Sequence, residues 1–506
     1  MAEKSRFNSV RRHDGARLVW MLLLASSALH FFWNTEADND LWGHLLFGRA
    51  MLASGTVVRT DTYAYTTAGQ PWLNHEWLSQ IVMAAVYSAA GAAGLLLSKF
   101  AVAVATVLLL LSEIRRRTPS VHTQAAVGVL AIAVLARGFS IRPQIFTYGF
   151  TALLLLILEE YRRGRPRVLY LLPGIFLVWA NVHGGFILGL GILALFACAD
   201  PLRGPAHARR PWLVLSASVG ATLLTPYGWR LFRFVENELT RAHPITEWQP
   251  TAFEVAQAPF LVMFGLFLAT MVFTQDWRRD GWQSVLALSV GCLALRHQRH
   301  TPLFALCAAA PLAAQLDTAI ERLGRRTTFT FSPFARRLLG VGVVALALTQ
   351  LGLTAVRWRS TGFAITYDTR DYPIAAVRVL RRAGVRGNVA VPLDWGEYVL
   401  WFLAPQVKVS LDGRFATVFP ERVVEDNFNL FRGAPGWQRL LDDYPTEAVL
   451  TPAGAPCPVR TLPDWRLVYR DDQAQLFVRS AAAGHFRLGA PSRDVAPPER
   501  AAGIFP

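Results

Sequence analysis

Apolar residues in this chain gather into long runs, and each run ends in a short cluster of charge. The first covers about residues 17–33 and leads straight into Glu36-Ala37-Asp38-Asn39-Asp40-Leu41-Trp42-Gly43-His44, which holds three carboxylates and an imidazole within nine residues. From Asp40 to Ala53 the apolar positions Leu41, Leu45, Leu46 and Met51 predict a short amphipathic helix on the membrane surface, with Asp40 as its N-cap. A loop with Gly55, Asp61, Gly69 and Pro71 follows. A second short helix starts near His75-Glu76-Trp77 and is broken by Gly91 and Gly94 before the next run ends at Arg115-Arg116-Arg117.

The alternation continues. A run at about 121–136 leads to Arg137 and Arg142, and the next returns to Arg162, Arg163, Arg165 and Arg167. Later runs end at Asn181-Val182-His183-Gly184, at Arg203, Arg209 and Arg210, and at Thr225-Pro226-Tyr227-Gly228. A longer loop carries Glu236, Glu238, His243, Glu247 and Trp248. The remaining runs end at Arg278-Arg279, at Arg296-His297-Gln298-Arg299-His300, at Arg322 to Arg337, and near residue 356. A helix needs ~20 apolar residues to cross a bilayer, so the pattern predicts an α-helical polytopic membrane protein of about 11 transmembrane helices.

Lysine and arginine accumulate in cytoplasmic connections. Arg11, Arg12 and Arg17 therefore place residues 1–16 in the cytoplasm, and every later cytoplasmic connection carries an arginine cluster. The transmembrane domain spans 17–358, with a first external loop at 34–90. From 359 to 480 short β-like runs (388–391, 407–411, 448–450, 467–469 and 475–478) alternate with helical stretches near 373–384 and 434–443. This pattern predicts a small α/β extracytoplasmic domain. Residues 481–506, rich in Pro, Ala and Arg, read as a disordered tail.

Composition agrees. With 506 residues, 53% hydrophobic and 17% charged, the chain is too apolar for an ordinary soluble protein. Its net charge of +16 would suit nucleic acid, but the arginines sit in short clusters between apolar runs, which is topology signalling, and no nucleic-acid partner is expected. Cys198, Cys292, Cys307 and Cys457 show no paired spacing, so neither a disulfide framework nor a zinc site is indicated. No small-residue cleavage site precedes Glu36, and the first run reads as an uncleaved span.

The topology sorts the unusual polar residues. Asp38, Asp40, His44, Asp61, His75, Glu76, Arg137, Arg142, His183, Glu247, Arg296, His297, Arg299 and His300 all fall on the external side. External arginines run against the orientation bias, and an anionic ligand explains them. Asp40 serves as helix cap, metal ligand or base, whereas Asp38 has no capping role and is the stronger candidate for chemistry. Asp40 and His44 stand four apart on one helical face, a spacing for a hydrogen bond or for shared ligation of a divalent metal such as Mg, Mn or Ca. Glu76 either favours a helix N-terminus or joins the site with His75. His183 sits among glycines that permit close approach. Arg142, Arg296 and Arg299 form a cationic set matched to a phosphate, and Lys99, deep in the second span, either snorkels or joins them.

An acidic first external loop, two surface helices, about eleven spans and an external C-terminal domain together resemble the GT-C glycosyltransferase superfamily. The motifs Asp38-Asn39-Asp40-Leu41-Trp42-Gly43-His44, Asp61-Thr62-Tyr63-Ala64-Tyr65, Trp72-Leu73-Asn74-His75-Glu76-Trp77-Leu78, Arg142-Pro143-Gln144 and Asn181-Val182-His183-Gly184-Gly185 are similar to those of one bacterial branch of it. Gly396-Glu397-Tyr398 and Ser410-Leu411-Asp412-Gly413-Arg414 fit the same branch. The resemblance implies the bacterial inner membrane, a polyprenyl-phosphate sugar as donor, and a first-loop carboxylate, Asp38 or Asp40, as catalytic base. A glycan, lipid or protein would be the acceptor. On this reading Arg142, Arg296, Arg299 and Lys99 bind the donor phosphate, and His44, Asp61, His75, Glu76, His183, Glu247 and His300 bind metal or acceptor. A transporter or flippase for a lipid-linked or anionic solute would instead place polar residues along a path through the bilayer. A non-catalytic envelope polysaccharide assembly protein would lack the carboxylate-plus-arginine set.

Overall fold

In the computed structural model, eleven helices among the described residues lie on the apolar runs. They are α1 (Ala2–Phe32), α3 (Trp77–Arg117), α4 (Val121–Leu135), α5 (Gln144–Arg162), α6 (Leu172–Val182), α7 (Phe186–Ala199), α8 (Arg209–Thr222), α10 (Ala258–Thr274), α11 (Gly281–Arg296), α12 (Thr301–Arg326) and α13 (Pro333–Thr361). The structure describes residues 2–199, 209–240, 246–275, 281–326, 332–484, 486 and 502–506. Arg203, His243, Arg278, Arg279 and most of the predicted tail lie outside these. Among the described residues, five helical segments have the length and hydropathy to cross a membrane unaided: 77–117, 121–138, 255–274, 298–325 and 337–361. The protein is a membrane protein with a small sheet domain towards its C-terminus.

The chain divides into two compact units. The first comprises residues 1–35, 96–225 and 241–363. Here α12 is the central helix: 72% of its apolar window is buried, against 22% for α13. Its run Ala308-Ala309-Ala310 is fully enclosed, because small side chains let neighbouring backbones approach. On α1, Ser26 and Ser27 donate to Gln350 Oε1 of α13 at 2.9 and 3.1 Å, a polar tie between two apolar helices. Arg116 and Arg117 at the end of α3 pair with Glu160 and Glu159 at the end of α5, at 2.8 and 2.7 Å. Two of the predicted cytoplasmic ends therefore meet.

The second unit comprises residues 36–95, 226–240 and 364–506. Its five-stranded sheet runs β3 (Val407–Val409), β2 (Gly387–Ala390), β4 (Ala448–Pro452), β6 (Ala474–Arg479), β5 (Trp465–Arg470). The β3–β2–β4 pairs are parallel, and β6 is antiparallel to both of its neighbours. The predicted strands all appear, whereas α15 (Leu393–Leu403) and α16 (Glu421–Arg432) were not foreseen.

The first loop belongs to this unit and does not stand apart from it. Ala64 bridges to Val409, with Tyr65 N–H donating to Val409 O at 3.0 Å. The helix α2 (Leu41–Ser54) forms where expected, but most of it is enclosed by protein. Leu41, Trp42, Gly43, His44, Leu45, Phe47, Gly48 and Met51 are all buried, because its apolar positions cover more than one face and its glycines admit neighbours. Part of the predicted disordered tail is also ordered. Residues Ala502–Ile504 (β7) pair with β1 (Thr366–Asp368), and Phe505 packs 4.3 Å from Trp42.

The 41 residues of α3 are two helices that meet at Gly91, whose φ of 59° and ψ of −156° suit only glycine. The break falls where the sequence places it, between the short second helix and the second span.

Candidate active site

Three motifs far apart in sequence converge in the second unit. Gly43 N–H, in the first turn of α2, donates to Glu397 Oε2 of α15 at 2.9 Å. Gly413 lies against the same carboxyl. A Cβ placed on Gly413 would stand 2.6 Å from Asp40 Oδ1 and 2.7 Å from Glu397 Oε1, so the two carboxylates face each other across a position that only glycine leaves open. A Cβ on Gly43 would fall 2.2 Å from the Glu397 carboxyl carbon. Gly413→Ala forces two carboxyl side chains apart in a packed interior, where overpacking costs ~1–3 kcal/mol. The expected result is a lower melting temperature, and an unchanged one contradicts this packing.

Beneath that contact lies a buried ion-pair cluster. Arg414 donates twice to Asp412, from Nε at 2.8 Å and Nη2 at 2.7 Å, and from Nη1 to Asp61 Oδ1 at 2.7 Å. Phe47, Tyr63, Trp72 and Phe419 surround its guanidinium at 4.8–5.7 Å. Asp61 also accepts from Tyr63 N–H, Ala64 N–H and Thr67 Oγ1. Its carboxylate is committed to holding the loop on the sheet.

Asp38 and Asp40 both stand at the start of α2. Asp38 Oδ1 accepts the Asp40 N–H at 3.1 Å and closes the turn before α2. Asp40 stands at the N-cap position, but its side chain makes no cap hydrogen bond. Tyr372 and Asp394 complete the surroundings: Tyr372 OH donates to Asn39 Oδ1 at 2.6 Å. Burial, then the Asp40 and Asp371 carboxylates, raises the Asp394 carboxyl above its usual range, with Asn39 opposing.

A histidine relay flanks α2. Asn74 Nδ2 donates to Gln80 Oε1 at 2.6 Å, and Gln80 Nε2 lies 3.3 Å from His44 Nδ1. His75 lies 3.7 Å from Glu76 and stacks near Phe234 of α9 (Arg230–Thr240).

The first unit carries its own polar cluster. Arg142 pairs with Glu247. The neighbouring Trp248 holds Arg299 over its ring at 4.4 Å and has the His297 and His300 rings at 5.4 and 6.4 Å. Arg296 is exposed. His183 accepts Gly185 N–H at Nδ1 (3.0 Å), with Thr147 Oγ1 at 2.9 Å. Lys99 is buried; it donates to Phe32 O at 3.1 Å and to Asn34 O, closing the carbonyl end of α1.

No protein-family model matches the chain, and no curated protein matches it in sequence. Solved structures do. The crystal structure of ArnT from Cupriavidus metallidurans bound to undecaprenyl phosphate superposes with a TM-score of 0.52 at 15% identity, covering 94% of this chain and 99% of that one. The apo structure of the same protein gives 0.52 and 15%, covering 97% and 100%. This chain has the fold of ArnT.

Within that fold the sequence brought forward Asp38, Asp40, His44 and Asp61 but assigned no role to Glu397, Asp394, Asp412 or Arg414. The signal was present in Gly396-Glu397-Tyr398 and Asp412-Gly413-Arg414, where ionisable residues sit beside glycines in otherwise apolar segments. Among the described residues, no group of three or more His, Cys, Asp or Glu side chains forms a metal cage. His44 Nδ1 lies 3.3 Å from Gln80 Nε2, and no step below is routed through a metal.

Burial, then the Asp40 and Asp412 carboxylates, raises the Glu397 carboxyl well above the usual range, while Gly43 N–H and Arg414 pull it back. In the unfolded chain it titrates near ~4.3. Above that pH the unfolded chain releases its proton while the folded protein keeps it. Stability is therefore full below the unfolded value and falls as pH rises towards the folded one. Glu397→Gln should flatten this slope in melting curves taken from pH 5 to 8, and an unchanged slope contradicts the assignment.

Proposed function

We propose that this protein transfers a sugar from a membrane-embedded polyprenyl phosphate to an acceptor hydroxyl on the extracytoplasmic side of a bacterial inner membrane. One observation carries the reading: over 94% of its length the chain follows a protein whose crystal structure holds undecaprenyl phosphate. In the proposed reaction the acceptor oxygen attacks the anomeric carbon, the bond from that carbon to the phosphate oxygen breaks, and polyprenyl phosphate leaves with the electron pair. Asp40 takes the acceptor proton. A well-placed base contributes ~10²–10⁴-fold.

Arg142 and Arg299 are the proposed partners of the donor phosphate, Arg142 paired with Glu247 and Arg299 lying over the face of Trp248. The acceptor is a glycan, a lipid or a protein.

Binding tests the donor half directly. In detergent or nanodiscs, native mass spectrometry or calorimetry should detect undecaprenyl phosphate on the wild-type protein. Arg142→Ala and Arg299→Ala should each weaken it by ~10–100-fold, since a hydrogen bond to a charged group contributes ~1.5–3 kcal/mol. Absence of binding, or binding indifferent to both arginines, would sink the reading.

A further inference from the structure

The first turn of α2 does not receive its cap from where the sequence offers one. A helix leaves its first N–H groups without intrahelical partners, and an N-cap side chain usually takes that of the second or third residue. Asp40 holds the N-cap position with φ −77° and ψ −9° and makes no such bond. The third residue, Gly43, gives its N–H to Glu397 Oε2, a partner 354 positions away in sequence. Glu397 is almost fully buried, at 4% exposure. Its approach depends on Gly43 and Gly413, where a Cβ would come within 2.2 and 2.7 Å of its carboxyl oxygens or carbon.

We infer that Glu397 is a positioning residue: it caps α2 from the C-terminal domain and so holds the Asp40 carboxylate out of the cap geometry, directed at Gly413. Asp38 assists by closing the preceding turn through the Asp40 N–H. The capping follows from the geometry, whereas its value for catalysis rests on the glycosyl-transfer reading. Without Glu397, Asp40 would rotate into the cap, as its sequence position favours, and its carboxylate would be withdrawn from the acceptor.

A melting-temperature cycle tests the capping without any need for activity. Asp40→Ala in the wild-type background removes no cap, and its melting temperature sets the reference. In a Glu397→Met background, which keeps volume but removes the acceptor, Asp40→Ala should lower the melting temperature by about 2–4 °C more than it does in wild type, the loss of a cap. In Glu397→Gln, whose carbonyl still accepts from Gly43, Asp40→Ala should act as in wild type. An equal effect of Asp40→Ala in all three backgrounds overturns the inference, even if the protein transfers no sugar. In a transfer assay Glu397→Met should lower kcat at least about tenfold with donor KM unchanged, and Glu397→Gln should restore most of it. A glutamine variant as impaired as the methionine one, or a loss confined to KM, overturns the positioning role while leaving the glycosyl-transfer reading intact.

Discussion

Asp40→Asn should lower sugar transfer by about 10²–10⁴-fold while leaving the melting temperature near that of the wild type. The asparagine is isosteric, and the native carboxylate makes no cap bond to lose. Asp38→Asn should behave differently. Its side-chain carbonyl can still accept the Asp40 N–H that Asp38 Oδ1 accepts now, so the turn persists and the loss in rate should stay below about tenfold. Rates measured on both variants at one pH, with melting curves alongside, separate the two aspartates. Equal activity in both would remove Asp40 from the chemistry, and a larger loss in Asp38→Asn would transfer the role to its neighbour.

The second large effect lies in stability. Arg414→Ala leaves the Asp61 and Asp412 carboxylates buried without their counter-ion and empties a cage of four aromatic rings. Breaking a buried pair in this way costs ~3–5 kcal/mol. Unfolding should shift steeply to lower temperature, and any activity lost should follow the folded fraction. Arg414→Lys keeps the charge but cannot donate twice to Asp412, so it should fall between the two. A melting curve for Arg414→Ala indistinguishable from wild type would mean that this cluster does not hold the first loop to the sheet.

These two effects mark how far the sequence could be read. The spans were legible because a bilayer demands runs of fixed length, and arginine marks their cytoplasmic ends. The strands of the C-terminal domain were legible from β-branched residues between turns. Neither signal reports contacts across hundreds of residues. Nothing local in Asp61-Thr62-Tyr63 says that its carboxylate meets Arg414, and nothing in Gly396-Glu397-Tyr398 says that the glutamate caps a helix that begins at Leu41. The hydrogen bonding at the start of α2 is hidden for the same reason: Asp38 Oδ1 takes the Asp40 N–H, and the Asp40 side chain makes no cap bond. Local rules assign the cap to the residue before the helix, and they hold only when no distant acceptor reaches the same N–H. The buried faces of α2 misled for a related reason: its apolar stripe looks sufficient for a membrane surface until Gly43 and Gly48 are seen to admit neighbours. Phe505, in a segment whose composition suggests disorder, is ordered by the aromatic group around Trp42.

The account stands or falls on turnover. The purified protein in proteoliposomes, given a panel of undecaprenyl-phosphate sugars and a bacterial envelope extract as acceptor, should release undecaprenyl phosphate and label the extract with sugar from at least one donor, and Asp40→Asn should lower both by about 10²–10⁴-fold. Release at the same rate from the Asp40→Asn variant, or no release from any donor by a protein that binds undecaprenyl phosphate, would contradict it.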